Sequence, residues 1–451
     1  MKHRKTTALA GGAVLVAALA AAFLVPPKRT VTTSSAEAYR EYLAGQDELH
    51  RMYMSDARRH FEAAIAHDPH FVMAMVSMAG IDMYSNPPSA KQWLARANSG
   101  RDRVSRRERM ALDLARAQSE NRVDDATRLA TALKDDYHDE RGYSFLGNLA
   151  SSRGQTEDAR AIYREWLATN PNNASAYNLL GYNSAFRGDY AEAVADLKKY
   201  AYLAPDEANP FDSLGEIEAA NGRYAEAIRD LKRALAIKPD FYPSDLHLGV
   251  AYAGEGRFAE ALAAFEAADR GYAAEPAQRL GILFEIMSVG HRQKDLALER
   301  QAVARAAALN LGEAPDPRPL LRALLAADEG RYDDAIAQWK EFSPPAKADE
   351  KMRAQYARIA GLFRGRIEFE AGHLPEAIRW LSANLAEPGR EGTLQDQAMA
   401  IRARALLARA KARAGDVAGA EALLAINRRF NPNNAETAEA AAEIAGEKKG
   451  A

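Results

Sequence analysis

The sequence contains no cysteine. That absence excludes disulfides, thiolate metal sites, a thiol nucleophile and the lipid-bearing cysteine of a bacterial lipoprotein, while leaving the redox compartment open. Charge of one sign is lacking too: 60 Lys plus Arg stand against 62 Asp plus Glu, so no overall field draws the chain to nucleic acid. No phosphate-cradling glycine loop, metalloprotease HExxH or G-x-S-x-G nucleophile elbow occurs. The chain is therefore expected to be no enzyme and to need no cofactor or metal. β-branched runs are scarce, whereas Ala, Leu, Glu, Arg and Lys dominate, a helix-forming bias.

What the sequence does have is a period. Gly147, Gly181, Gly215 and Gly249 stand 34 residues apart, Ala159, Ala193, Ala227 and Ala261 keep the same interval, and so do Pro171, Pro205 and Pro239. A fixed repeat of that length marks a solenoid, whose units cannot bury their apolar faces alone and must stack. The clearest unit runs from Ala174 to Glu207, with Tyr177, Leu180 and Gly181 on a first helix and Gly188 at the turn. Ala193, Leu197 and Tyr200 follow on a second helix, which Pro205 ends. Gly at the eighth position and Ala at the twentieth let the two helices approach closely, while larger residues at 4, 7, 11 and 24 fill the remaining space.

This pattern resembles the tetratricopeptide repeat, a pair of antiparallel helices of 34 residues, over most of the chain. The fold class expected is an all-α tetratricopeptide-repeat solenoid of about nine or ten helical pairs, some degenerate. Residues 38–275 read as an N-terminal array, 276–315 as a degenerate helical segment, 316–434 as a C-terminal array and 435–451 as a capping helix and tail. The stretch from Tyr39 to Asp68, with Pro69-His70-Phe71 and the later SRRER of Ser105–Arg109, resembles the repeat halves of bacterial kinases, cyclases and transcription factors. Their effector module is not found ahead of it, and an apolar segment stands in its place. The resemblance thus implies the fold and a partner-binding role only.

Residues 1–7 are basic through Lys2, Arg4 and Lys5, and residues 8–25 are uncharged and apolar before a linker at 26–37. Eighteen helical residues span about 27 Å, enough for a hydrocarbon core, so this run reads as a transmembrane anchor or a cleaved signal peptide. Basic residues ahead of it favour a cytoplasmic start and export of the repeats, which would be periplasmic in a bacterium.

His60, His67 and His70 form the closest histidine group, but their helix-end setting suits the dipole better than a metal. Five arginines lie between Arg101 and Arg109, where Ser105 and Glu108 have capping-box spacing and predict an exposed helix start. Asn173-Ala174-Ser175 matches a glycosylation acceptor at a repeat junction.

In stacked pairs, first-helix positions 2, 5, 9 and 12 share the inner face. They include Ser144, Asn148, Asn178, Tyr182, Asn209, Asp212 and Glu216, with Phe186 alongside. That set suits an extended protein or peptide partner, its backbone held by Asn side chains and its apolar groups by the aromatic rings. The leading expectation is a membrane-tethered, extracytoplasmic scaffold. A ligand-sensing module relaying to a separate effector comes second, and an enzyme of envelope polymers third.

Overall fold

The computed structural model describes residues 30–312, 316–344, 350–385 and 394–450. The basic start, the apolar run and residues 26–29 of the linker lie outside the described residues. Among the described residues there are α-helices and one short 3-10 turn but no strand, and no helix is long and apolar enough to cross a membrane. Residues 30–49 and 54–129 form one compact unit, and residues 50–53 with those from 130 onward form another.

The first unit contains α1 (Ala36–His50), α2 (Met54–His67), α3 (Val72–Ser85), α4 (Pro87–Asn98), α5 (Arg106–Ser119) and the start of α6 (Val123–Tyr137). Its core gathers Tyr42, Phe61, Phe71, Met73, Met78, Leu94 and Leu112, all buried. Asn86 caps α4 and Ser105 caps α5, the latter through a complete capping box with Glu108, so the polar residues at these turns supply the partners that helix starts lack. The polar segment 30–35, part of the expected linker, is fastened down. Thr32 donates its backbone N–H and its hydroxyl to Glu108, each at 2.7 Å, and Thr33 donates to Asp68 at 2.5 Å.

The second unit continues through α7 (Glu140–Ser152), α8 (Thr156–Thr169), α9 (Ala174–Phe186), α10 (Tyr190–Leu203), α11 (Asn209–Ala220) and α12 (Tyr224–Ile237). Then come α13 (Tyr242–Gly254), α14 (Phe258–Gly271), α15 (Pro276–Gln293), α16 (Leu296–Ala307), α17 (Arg318–Asp328) and α18 (Tyr332–Glu341). Finally α19 (Glu350–Glu370), α20 (Leu374–Asn384), α21 (Leu394–Arg413) and α22 (Val417–Phe430) lead to α23 (Ala435–Gly450). Taken in chain order, the helices among the described residues make eleven successive pairs followed by α23, a little above the number legible from the period. Both α3–α4 and α15–α16 still meet through small residues, Ala79 and Ala90 buried in one and Gly290 standing against Glu299 in the other, but Gly290 falls off the 34-residue interval.

Packing explains the period. A Cβ placed on Gly147 would stand 2.2 Å from the Tyr163 ring, one on Gly181 2.6 Å from Leu197, one on Gly215 2.5 Å from Leu231 and one on Gly249 2.5 Å from Phe265. In each repeat the large residue sixteen positions on fills the space that the glycine leaves. Ala159, Ala193, Ala227 and Ala261 are fully buried on the opposing helices, where any larger side chain would force the pair apart. Ala193→Leu is accordingly expected to cost about 1–3 kcal/mol, and an unchanged melting temperature would count against this packing.

Turn chemistry repeats as well. Gly188 and Gly222 adopt φ of +78° and +76°, a left-handed conformation that closes a first helix while the next N–H returns to a carbonyl one turn back.

Candidate functional site

First helices contact one another across successive pairs, α9 with α11, α11 with α13 and α13 with α15, so their like-numbered positions line a common inner face. On α7, Ser144 is half-buried and Asn148 exposed, its side-chain oxygen accepting from Tyr163 at 2.8 Å. On α9, Asn178, Tyr182 and Phe186 are half-buried. The Asn178 Oδ1 is enclosed and meets no hydrogen-bond donor, and the Tyr182 and Phe186 rings lie 6.3 Å apart.

On α11 the stripe changes character. Asn209 and Asp212 are buried, and both are already committed: Asn209 donates to the Tyr200 hydroxyl at 2.9 Å, while Asp212 accepts from Ser244 at 2.7 Å and pairs with His247 Nδ1 at 3.0 Å. Glu216 accepts from the Tyr182 hydroxyl at 2.5 Å and stands 3.7 Å from His247 Nε2. One polar chain therefore runs across α9, α11 and α13. Burial would lower the His247 pKa, but Asp212 and Glu216 outweigh it and push it up to about 9, so the ring is an imidazolium at neutral pH. Burial, followed by the Glu216 and Asp212 charges, holds the Tyr182 phenol well above its ordinary value, and it stays a donor. Two carboxylates against one imidazolium leave this stretch with an excess of negative charge.

His247 escapes the sequence reading because it sits at position 6, one residue off the stripe. Asp212 at position 5 of the preceding repeat is the signal that would have found it, since those positions become neighbours when pairs stack.

The C-terminal pairs return to the edge of this face. Gln397 on α21 is buried, accepts from Tyr190 at 3.0 Å, and donates to the carbonyls of Ala185 and Phe186 at 3.3 and 3.1 Å. Asn221 donates to the Phe430 carbonyl at 2.8 Å, Asn433 to the Gly222 carbonyl at 2.9 Å and Asn431 to the Tyr224 hydroxyl at 3.2 Å. Leu394, Ile401 and Phe430 join the core of Tyr190, Val194, Leu214 and Ile217. Residues some two hundred positions apart thus close the array on itself, with the bare Gly188 and Gly222 turns receiving Phe430 and Asn431. Arg402 reaches Glu285 and Glu436 at 3.5 and 3.6 Å.

Other clusters find local partners. In the first unit His60 meets Glu41 at 2.8 Å. Arg101 pairs with Asp113 at 2.7 Å, and Arg109 donates to the Val104 carbonyl at 2.6 Å. Asn173 caps α9 by accepting from Ala176 N–H at 2.8 Å, which is a structural use of the acceptor-like motif. Among the described residues His291, Glu299 and Asp328 come within 4.8 Å of one another in metal-ligand fashion. Arg366 already fills that place, at 2.8 and 2.9 Å from the two Asp328 oxygens and 2.8 Å from His291 Nδ1. A guanidinium there supplies the positive charge that a metal would bring.

Two tetratricopeptide-repeat family models match the chain, at residues 145–208 and 218–280. No curated protein matches. Among solved structures, the APC/C hetero-tetramer Cut9-Hcn1 is similar with a TM-score of 0.51 and 15% identity, covering 93% of this chain and 78% of that one. Pseudomonas aeruginosa pilF matches at 22% identity over 44% of this chain and 88% of that one, TM-score 0.36. MamA matches at 22% identity over 36% and 95%, TM-score 0.31. The first of these likenesses concerns the fold alone. With the glycine and alanine contacts at every 34th residue and two repeat models matched within them, residues 145–280 of this chain are tetratricopeptide repeats.

Proposed function

We propose that this tetratricopeptide protein is a scaffold that holds an extended protein or peptide segment against the inner faces of α7 and α9. The observation that carries the reading is the contrast along one stripe. On α11 Asn209 and Asp212 are buried and bonded to their neighbours, whereas on α9 the Asn178 side-chain oxygen lacks a donor beside the half-exposed Tyr182. Turning the Asn178 amide toward the groove would let a peptide N–H satisfy that oxygen, and a buried acceptor left unpaired costs about 1–3 kcal/mol. Ser144 and Asn148 extend the same surface, while Asn209 and Asp212 shape it from beneath, and Glu216 gives it negative charge.

Partner capture should therefore be lost by at least about tenfold when Asn178→Ala is combined with Tyr182→Ala. Affinity purification of the full chain from envelope extract, followed by titration of the recovered partner against wild type and the double variant, makes the measurement. Equal affinity would remove α9 from the contact surface.

The apolar run 8–25 is our proposed tether, which would place the repeats on the far side of a membrane. Support for it is the length of the run and the basic residues ahead of it. Fractionation, with the mass of the mature N-terminus, distinguishes a retained anchor from a removed signal; a chain of full mass in the soluble fraction would refute both.

A further inference from the structure

We infer that the held segment anchors itself through a basic side chain, an arginine or a lysine, whose charged head meets Glu216 and whose stem lies against the Tyr182 and Phe186 rings. This inference rests on the scaffold reading and names the chemistry that its groove selects.

Charge is unbalanced at the junction of α9, α11 and α13. Asp212 is fully committed, since it pairs with His247 Nδ1 at 3.0 Å and accepts from the Ser244 hydroxyl at 2.7 Å. Glu216 is only half committed. Its Oε2 accepts from Tyr182 at 2.5 Å, whereas its Oε1 stands 3.7 Å from His247 Nε2, too far for a hydrogen bond. Of its side chain, 27% stays exposed. The charges that act on the His247 ring are those of these two carboxylates, so one negative charge is left over on the groove surface. A neutral or acidic segment laid across it would strip water from that carboxylate without a replacement, while a cation arriving with the segment offsets the lost hydration. The Tyr182 hydroxyl already fixes the orientation of the Glu216 carboxylate, which reduces the ordering that such a pair requires.

The adjoining rings have the same preference. Tyr182 and Phe186 lie one turn apart on α9, half-buried, with centroids 6.3 Å apart. Elsewhere in the second unit the chain lays its own arginines on aromatic faces: Arg257 over Tyr252 at 4.4 Å, Arg292 over Phe258 at 4.8 Å and Arg364 over Trp339 at 5.1 Å. Among the described residues no lysine or arginine stands over Tyr182 or Phe186. A guanidinium or ammonium from a bound segment would take that place, drawn by the ring faces and by Glu216 together, with its aliphatic stem covering the rings. An acidic anchor would instead meet Glu216 as a like charge, which excludes it.

The full chain is tested against an array of random peptides of about nine residues. Wild type should retain peptides in which arginine and lysine exceed their share of the array at least about threefold. In the tightest of these, the basic residue is replaced by its uncharged counterpart, citrulline for arginine or acetyl-lysine for lysine. Binding should weaken roughly tenfold in wild type and less than about twofold in Glu216→Gln. The glutamine keeps an acceptor for the Tyr182 hydroxyl, and equal affinity of the two proteins for the uncharged peptide shows that the groove is intact in the variant. Peptides retained without a basic excess, or a neutralisation penalty equal in both proteins, would overturn the basic anchor and leave the scaffold reading standing. Retention by wild type no better than by Asn178→Ala/Tyr182→Ala would overturn the scaffold reading, and the anchor with it.

Discussion

Raising the pH from about 5 to about 9 is expected to destabilise the second unit by several kcal/mol, with Glu299→Gln removing the largest share of the loss. Glu299 on α16 is 1% exposed and faces Asp328 at the end of α17, His291 on α15 and Arg366 on α19, with Glu329 nearby. One guanidinium cannot neutralise two buried carboxylates, so one of them keeps its proton. Burial, then the hydrogen bond to Asp328 and its charge, push Glu299 up to about 8. Asp328, although burial opposes it, is drawn down to about 2 by His291 and Arg366. In the unfolded chain Glu299 ionises near 4.5. As pH rises from 4.5 to 8 the unfolded state therefore releases a proton that the folded state retains, and stability falls across that window. The ceiling for this group is about 4–5 kcal/mol, which local relaxation reduces to roughly 2–3. Glu218, pushed by burial and then by Asp230 up to about 7, acts in the same direction. So does His247, whose stabilising charge is lost as pH rises from 6.5 through about 9. The Asp328 contribution has the opposite sign and is lost only as pH falls from 3.8 toward 2. A glutamine at 299 keeps a donor toward Asp328 without an ionisable proton, so its denaturation midpoints should fall less between pH 5 and pH 9. Parallel profiles for wild type and variant would remove Glu299 from this role.

Such clusters mark the limit of what a sequence displays. The repeat was legible because helix pairs in contact demand small residues at fixed steps, and Gly181 beneath Leu197 or Gly215 beneath Leu231 leaves a periodic trace. Neighbouring repeats also write some of the inner face into the sequence, since Tyr182 and its acceptor Glu216 are 34 positions apart. The stripe itself could be read from helix geometry. Which of its members are spent internally could not, because Asn209 is silenced by Tyr200 and Asp212 by two residues of the next pair. Longer-range partners leave no period at all. Thr32 and Glu108 are separated by 76 positions, and Tyr190 and Gln397 by 207. Nothing in the local composition of either member announces the other, so a polar strap reads as a linker and a closing contact as an ordinary helix.

That closing contact yields the second large effect: Gly222→Ala should cost about 2–4 kcal/mol more than Gly256→Ala. The two glycines occupy equivalent turns with φ of +76° and +78°, so an alanine at either pays about the same 1–2 kcal/mol for left-handed backbone. At Gly256 the new methyl group meets nothing within 4 Å. At Gly222 it would stand 2.2 Å from Asn431 Oδ1 and 3.1 Å from Asn433 Cβ. The Asn431 amide must then swing aside, losing its bond to Tyr224, and the crowding at Asn433 Cβ loosens the turn that carries the bonds from Asn433 to the Gly222 carbonyl and from Asn221 to the Phe430 carbonyl. Each is worth about 1 kcal/mol net. The difference between the two variants thus isolates the return of the C-terminal pairs from backbone strain. Faster hydrogen exchange through α21–α22 and tryptic cleavage at Arg428 or Arg429 should appear in Gly222→Ala alone. Loosening that edge also frees the Phe186 carbonyl from Gln397 and uncovers the end of α9, where Tyr182 stands. Partner capture through Asn178 and Tyr182 should accordingly strengthen in Gly222→Ala and stay at the wild-type level in Gly256→Ala. Equal stability and equal capture in the two variants would mean that the return neither holds the array closed nor restricts its inner face.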